Sequence, residues 1–170
     1  MNTTVNPLWV VADTSGSMGE AAKLYIMRNM INYIRERLSL SNNNLSFNKL
    51  CVVTWNEKVK SINIDPKNDL PAFKLVGKVN VEKLTQYFDK IPKGNIVKSR
   101  LLILSDWKLE KERKNIFINW AKQQNNYSIR VIQIEIGISA AMVNKMSSRN
   151  YFHPQDISKA LYPWELTSEH

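Results

Sequence analysis

The stretch Leu8 to Gly19, Leu-Trp-Val-Val-Ala-Asp-Thr-Ser-Gly-Ser-Met-Gly, constrains the fold more than any other part of the chain. Leu8 to Ala12 is an unbroken apolar run, the pattern of a strand covered on both faces, as in a parallel sheet. The run stops at Asp13, and three oxygen-bearing side chains then alternate: Asp13, Ser15 and Ser17. Gly16 and Gly19 permit a tight, closely approaching backbone. A helical pattern follows at once. A carboxylate and two hydroxyls are thereby expected on a loop at the carboxyl end of a strand, in front of a helix. In open α/β sheets that crevice is where ligands sit. Hard oxygen donors suit Mg²⁺, Mn²⁺ or Ca²⁺ rather than zinc. As plain local structure, the same residues read as an Asp N-cap with two turn serines.

A second apolar run ends in the same way. Leu101-Leu102-Ile103-Leu104-Ser105-Asp106 reads as a buried strand closed by a carboxylate. If the two strands are neighbours, Asp13 and Asp106 meet at one sheet edge, where they repel unless a cation relieves them.

Between and beyond these runs, elements alternate. Residues 20–38 carry an apolar stripe at Ala22, Ile26, Met30, Ile34 and Leu38, with Met27 and Ile31 beside it. A strand is expected over 45–55, buried at Leu50, Cys51, Val52 and Val53, and a hairpin partner over 59–64. Asn80 reads as the N-cap of a helix that ends near Pro92-Lys93-Gly94. A charged helix over 110–125 turns Phe117, Trp120 and Ala121 inward. A strand over 129–136, a short helix over 139–146, a last strand at Tyr151-Phe152-His153 and a short helix over 157–161 complete the order, which implies a doubly wound sheet.

Asp-x-Ser-x-Ser in this setting resembles the metal-ion-dependent adhesion site of von Willebrand factor A domains. Val-Val-Thr-Trp-Asn-Glu-Lys-Val, residues 52–59, resembles the second and third strands of the same family. The resemblance covers residues 7–162. It implies a three-layer α/β fold, a mainly parallel sheet of about six strands with one antiparallel edge strand. It carries a metal-site role to Asp13, Ser15, Ser17 and Asp106, with Mg²⁺ or Mn²⁺ as the ion. It also implies a non-enzymatic protein-interaction module whose ion takes a carboxylate from a partner. Two positions depart from the family. The usual Thr ligand falls on Val79, with Lys78 beside it, so an isopropyl group stands where a hydroxyl would bind and an ammonium competes with the ion. Trp107 follows Asp106 where Gly is common. Metal binding is therefore expected to be weak or absent; Lys78 is expected at a partner-binding rim, and Trp107 reads equally as part of that rim or as a packed core residue. Small size and an intact Asp-Thr-Ser-Gly-Ser-Met core look like bacterial tellurium-resistance-associated or phage-defence-associated members.

Composition limits the other function classes. All 170 residues read as one domain with enough chain for a sizeable core. The opening Met1 to Pro7 has no basic region and no long apolar run, and no stretch reaches membrane-spanning length, so neither a secretory signal nor a membrane span is expected. The single cysteine, Cys51, lies in an apolar run and fits a reducing, cytoplasmic setting. The net charge is +9, and residues 58–114 hold 14 Lys/Arg against 7 Asp/Glu. That excess admits nucleic acid or an acidic protein as partner, or a solvated face alone. Asp13-Thr14-Ser15 also resembles the nucleophile loop of haloacid-dehalogenase-like phosphatases, but Ser15 stands where those need a second Asp. No phosphate-binding Gly-x-x-x-x-Gly-Lys-Ser/Thr loop, Ser-His-Asp set or zinc spacing is present. His153 and His170 read as structural and tail residues.

Overall fold

Apolar runs become adjacent strands, and the amphipathic stretches between them cover both faces. The structure, a computed structural model, describes residues 5–40, 47–92, 99–135 and 151–161. Six strands form one sheet: β1 (Pro7–Asp13), β2 (Lys49–Trp55), β3 (Val59–Ile62), β4 (Ser99–Ser105), β5 (Tyr127–Gln133) and β6 (Tyr151–Phe152), in spatial order β3-β2-β1-β4-β5-β6. Among the described residues only the β2–β3 pair is antiparallel, a hairpin with Trp55 opposite Val59. The others run parallel, so the carboxyl ends of β1, β2, β4 and β5 share one edge.

Among the described residues the α-helices are α1 (Lys23–Ser39), α2 (Val81–Asp89), α3 (Lys111–Gln123) and a short α4 (Ile157–Leu161). Alternation along the central strands divides the core. Leu8, Val10, Ala12, Leu102 and Leu104 face one layer, with Met27, Ile31 and Ile34 of α1 and Leu161 of α4. Val11, Leu101 and Ile103 face the other, with Leu84 and Phe88 of α2 and Phe117 and Trp120 of α3. This is the three-layer, doubly wound α/β arrangement, mainly parallel with one antiparallel edge strand. Among the described residues no helix is long and apolar enough to cross a membrane.

Several elements differ in detail from the sequence reading. A 3₁₀ turn at Gly16–Gly19 uses up the residues after the motif, so α1 starts only at Lys23. Its buried face is Lys23, Met27, Met30, Ile31 and Ile34. Ala22 is exposed, and Ile26 and Leu38 are half-buried, so the stripe is rotated from the predicted one. Leu50 and Cys51 are half-buried rather than central, because the buried part of β2 is its carboxyl half. Asn80 is the N-cap as expected, its side-chain oxygen accepting from Lys83 N at 2.9 Å. The helix expected over 139–146, the residues Lys93 and Gly94, and His170 lie outside the described residues.

The long connection from β3 to α2 matters for the site. Two arginines of α1 hold it by its carbonyls: Arg28 donates to Leu70 O and Pro71 O, and Arg35 to Asp65 O and Asn68 O. The chain then returns to the end of β1, where Val76 N donates to Thr14 O and Gly16 N to Gly77 O, both at 2.9 Å. Gly77 sits at φ +62°, a left-handed turn that glycine adopts without strain.

Candidate functional site

The parallel register of β1 and β4 pairs Ala12 with Leu104, so Asp13, Ser105 and Asp106 arrive together at the carboxyl edge. The i, i+2 alternation of the motif then sorts its side chains. Thr14 turns inward, its hydroxyl 3.3 Å from Trp55 O and 3.1 Å from Asn56 Nδ2. Ser15 is buried and Ser17 half-buried, their hydroxyls 3.2 Å apart. Asp13 is 1% exposed. One of its oxygens accepts from Ser15 N at 2.8 Å, the other from the Ser105 hydroxyl at 2.5 Å. Burial pushes the Asp13 carboxyl above its ordinary value; these hydrogen bonds pull against it, and the charge of Asp106 adds to the rise.

Asp106 is compensated differently. Its Oδ2 lies 3.0 Å from Lys23 Nζ, and both side chains are buried. The same ammonium reaches Glu20 Oε2 at 3.1 Å and Ser17 O at 3.3 Å. Glu20 in turn binds Lys108 Nζ at 2.7 Å on the solvent side. Burial opposes the charge on Lys23, but the hydrogen bonds to Asp106 and Glu20 outweigh it and hold the ammonium above the usual lysine range.

Of the predicted site residues, Asp13, Ser15, Ser17 and Asp106 come together at this pole. Lys78 is exposed on the loop that docks against Thr14 and Gly16. Val79 is half-buried and packs on the apolar cluster beneath α2. Trp107 corrects the sequence reading: it is 1% exposed and forms no rim. Its backbone adopts φ +55°, which turns the indole inward against Phe117 and Tyr151 at ring-centroid distances of 5.1 and 6.1 Å. Its backbone N–H donates to the Ser105 hydroxyl at 2.9 Å.

Sequence reasoning missed Lys23 and Ser105. Lys23 carried a signal, since it stands four residues before Met27 and eight before Ile31, on the stripe that is buried. A lysine on a buried stripe requires an anion.

The donor set tests how well a cation fits. Asp13 and the two serine hydroxyls are hard oxygen donors of the kind that hold Mg²⁺ or Mn²⁺. Among the described residues no group of three or more His, Cys, Asp and Glu side chains converges. On the Asp106 side a positive charge is already in place. The donors therefore fit an ion at the β1 loop, with one cation too many beside Asp106.

No protein-family model matches the chain, and no curated protein matches it in sequence. Solved structures do match in fold. The manganese-loaded TRAP protein of Plasmodium vivax is 17% identical with a TM-score of 0.62, over 94% of this chain and 73% of that one. The ArnB paralog VWA2 of Sulfolobus acidocaldarius is 15% identical with a TM-score of 0.61, over 94% and 44%. A von Willebrand factor type A protein of Catenulispora acidiphila is 13% identical with a TM-score of 0.57, over 94% and 41%. The chain thus spans less than half the length of the last two. At these identities the likeness is one of architecture, and the architecture is that of the von Willebrand factor A domain.

Proposed function

We propose that this chain is a non-enzymatic protein-interaction module whose contact point is the pole formed by the β1 and β4 loops. The observation that carries the reading is the convergence of Asp13, Ser15, Ser17 and Asp106 at the carboxyl edge of the sheet, where this architecture places ligands. The manganese-loaded state of the TRAP structure supports a divalent ion there. Magnesium or manganese would be held by Asp13, Ser15 and Ser17, and would supply an electrophilic face for a carboxylate of the partner. Binding is weak, because Val79 offers no oxygen and Lys23 already neutralises Asp106. Lys78 and Lys108, exposed beside the pole, suit an acidic partner. Asp13 makes a poor phosphoryl acceptor, since both of its oxygens take hydrogen bonds and it is buried. The resemblance to tellurium-resistance-associated and phage-defence-associated proteins suggests a bacterial stress or defence system as the setting.

Site-specific photo-crosslinking in cells tests the reading. A photoreactive residue at position 78, beside the pole, is expected to trap a protein partner, and Asp13→Ala is expected to abolish the adduct. The same residue at Asn48, at the opposite edge of the sheet, is expected to trap none. Equal adducts at both positions, or an adduct at 78 that survives Asp13→Ala, would sink the proposal.

A further inference from the structure

We propose that Lys23 is the resident cation of this pole, and that its ammonium and a divalent ion are alternative occupants of the place beside Asp106. The inference rests on reading the pole as a cation-organised contact site, and it names the cation. A lysine is almost never fully buried unless it is paired, yet the Lys23 side chain is 5% exposed and its partner Asp106 2%. An ammonium has three donors, and Lys23 directs them at three oxygens: Asp106 Oδ2, Glu20 Oε2 and Ser17 O. Two of these three belong to residues that the motif reading assigned to a metal. The ammonium thus supplies the positive charge that two neighbouring carboxylates require, without an ion from solution.

The fold explains how the lysine gets there. The 3₁₀ turn at Gly16–Gly19 delays α1, so its first residue is Lys23. The stem begins on the helix face shared with Met27 and Ile31, and the head ends at the carboxyl edge of β4. A divalent ion entering beside Asp106 would meet this ammonium at close range, in a site that water screens poorly. One of the two must leave. Glu20 offers the departing ammonium an anion on the solvent side, since it is itself 59% exposed.

The two occupants differ in what they need. With Lys23 in place the pole is organised at any metal concentration. Without it, Asp106 is a buried charge with no counterion, and folding becomes dependent on metal.

The test uses the full chain, Mn²⁺ alone as probe, and two readouts: Mn²⁺ affinity by electron paramagnetic resonance, and melting temperature in chelator or in saturating Mn²⁺. The wild-type protein is expected to bind Mn²⁺ weakly and to melt at the same temperature in both conditions. Lys23→Met is expected to bind Mn²⁺ about tenfold tighter or more, the scale of strongly coupled sites. It should melt early in chelator and recover in Mn²⁺. Lys23→Met with Asp106→Asn should fold without metal and lose the gained affinity. Tight Mn²⁺ binding by the wild-type protein overturns the proposal. So does a Lys23→Met protein that Mn²⁺ neither binds tightly nor stabilises, including one that is insoluble in both conditions. Neither readout requires a partner, so a failed crosslink at position 78 leaves this result standing, and the reverse also holds.

Discussion

β1 and β4 lie side by side in the sheet, each carries an apolar run, and each run is closed by a carboxylate, yet Asp13 and Asp106 are kept buried by different means. Asp13 is held by neutral donors from Ser15 and Ser105. Asp106 is held by a full positive charge, the Lys23 ammonium. Dipoles leave a carboxylate some capacity for a cation, whereas a paired ammonium removes most of it. Two strand ends that look equivalent in sequence are therefore unequal in chemistry. Under the proposal above, the β1 side keeps oxygen donors that an ion could use, and on the β4 side the Lys23 ammonium stands in the ion's place.

The largest effect that could break this comparison comes from deleting one charge at a time. Asp106→Asn leaves the ammonium buried against Ser17 O, with Glu20 as its remaining anion. Breaking a buried pair in this way is expected to cost about 3 kcal/mol. Asp13→Asn keeps an oxygen for Ser15 N and needs no counterion, so about 1 kcal/mol is expected. Denaturant midpoints measured on both variants decide the matter. Equal losses would show that Lys23 does not set the two carboxylates apart.

What could be read from sequence, and what could not, divides along the same line. An apolar run followed by Asp reports a buried strand and its polar end, and the Asp13–Ser15 contact spans only two residues, so both are local signals. The Asn80 cap and the β2–β3 hairpin are local too. The Lys23–Asp106 pair joins residues 83 apart in the chain, and only the folded sheet brings them together. Lys23 stands one helical turn before Met27, but a stripe that starts at Ala22 and Ile26 does not single it out, and α1 buries Lys23 and Met27 instead. Trp107 shows the other limit. A tryptophan after a strand-ending Asp reads as surface by position, and nothing in the residue order encodes the positive φ that turns it inward.

A smaller effect sharpens the β1 side. Ser105 is fully buried and its hydroxyl serves both loops, donating to Asp13 and accepting from Trp107 N. Ser105→Ala leaves a buried carboxylate with one donor fewer and a buried amide without an acceptor. About 2 kcal/mol is expected, because each unsatisfied buried group carries its own desolvation cost. The loss should be similar in low and high salt, since no ion pair is broken. A strong salt dependence of the measured loss would mean that Asp13, too, relies on charge.

The smallest effect concerns Val79, where the family resemblance places a ligating threonine. The loop is in position, since Val76 and Gly77 make backbone hydrogen bonds to Thr14 and Gly16. The Val79 side chain itself packs on the apolar cluster under α2. Val79→Thr exchanges a methyl for a hydroxyl and is not neutral in such a place. About 1 kcal/mol of stability should be lost, the low end for a partly buried hydroxyl that lacks a partner. If the missing oxygen were the main defect of the site, this single change would raise Mn²⁺ affinity in the wild-type background. If the Lys23 ammonium is the main obstacle, Val79→Thr alone changes Mn²⁺ affinity little and adds to it only alongside Lys23→Met. The two substitutions would then be coupled rather than additive, as expected for groups that act on one bound ion. A four-way comparison of Mn²⁺ affinity across wild type, each single variant and the double variant separates the cases. A full gain from Val79→Thr by itself would return the β4 side to the status of an ordinary metal site and end the contrast between the two carboxylates.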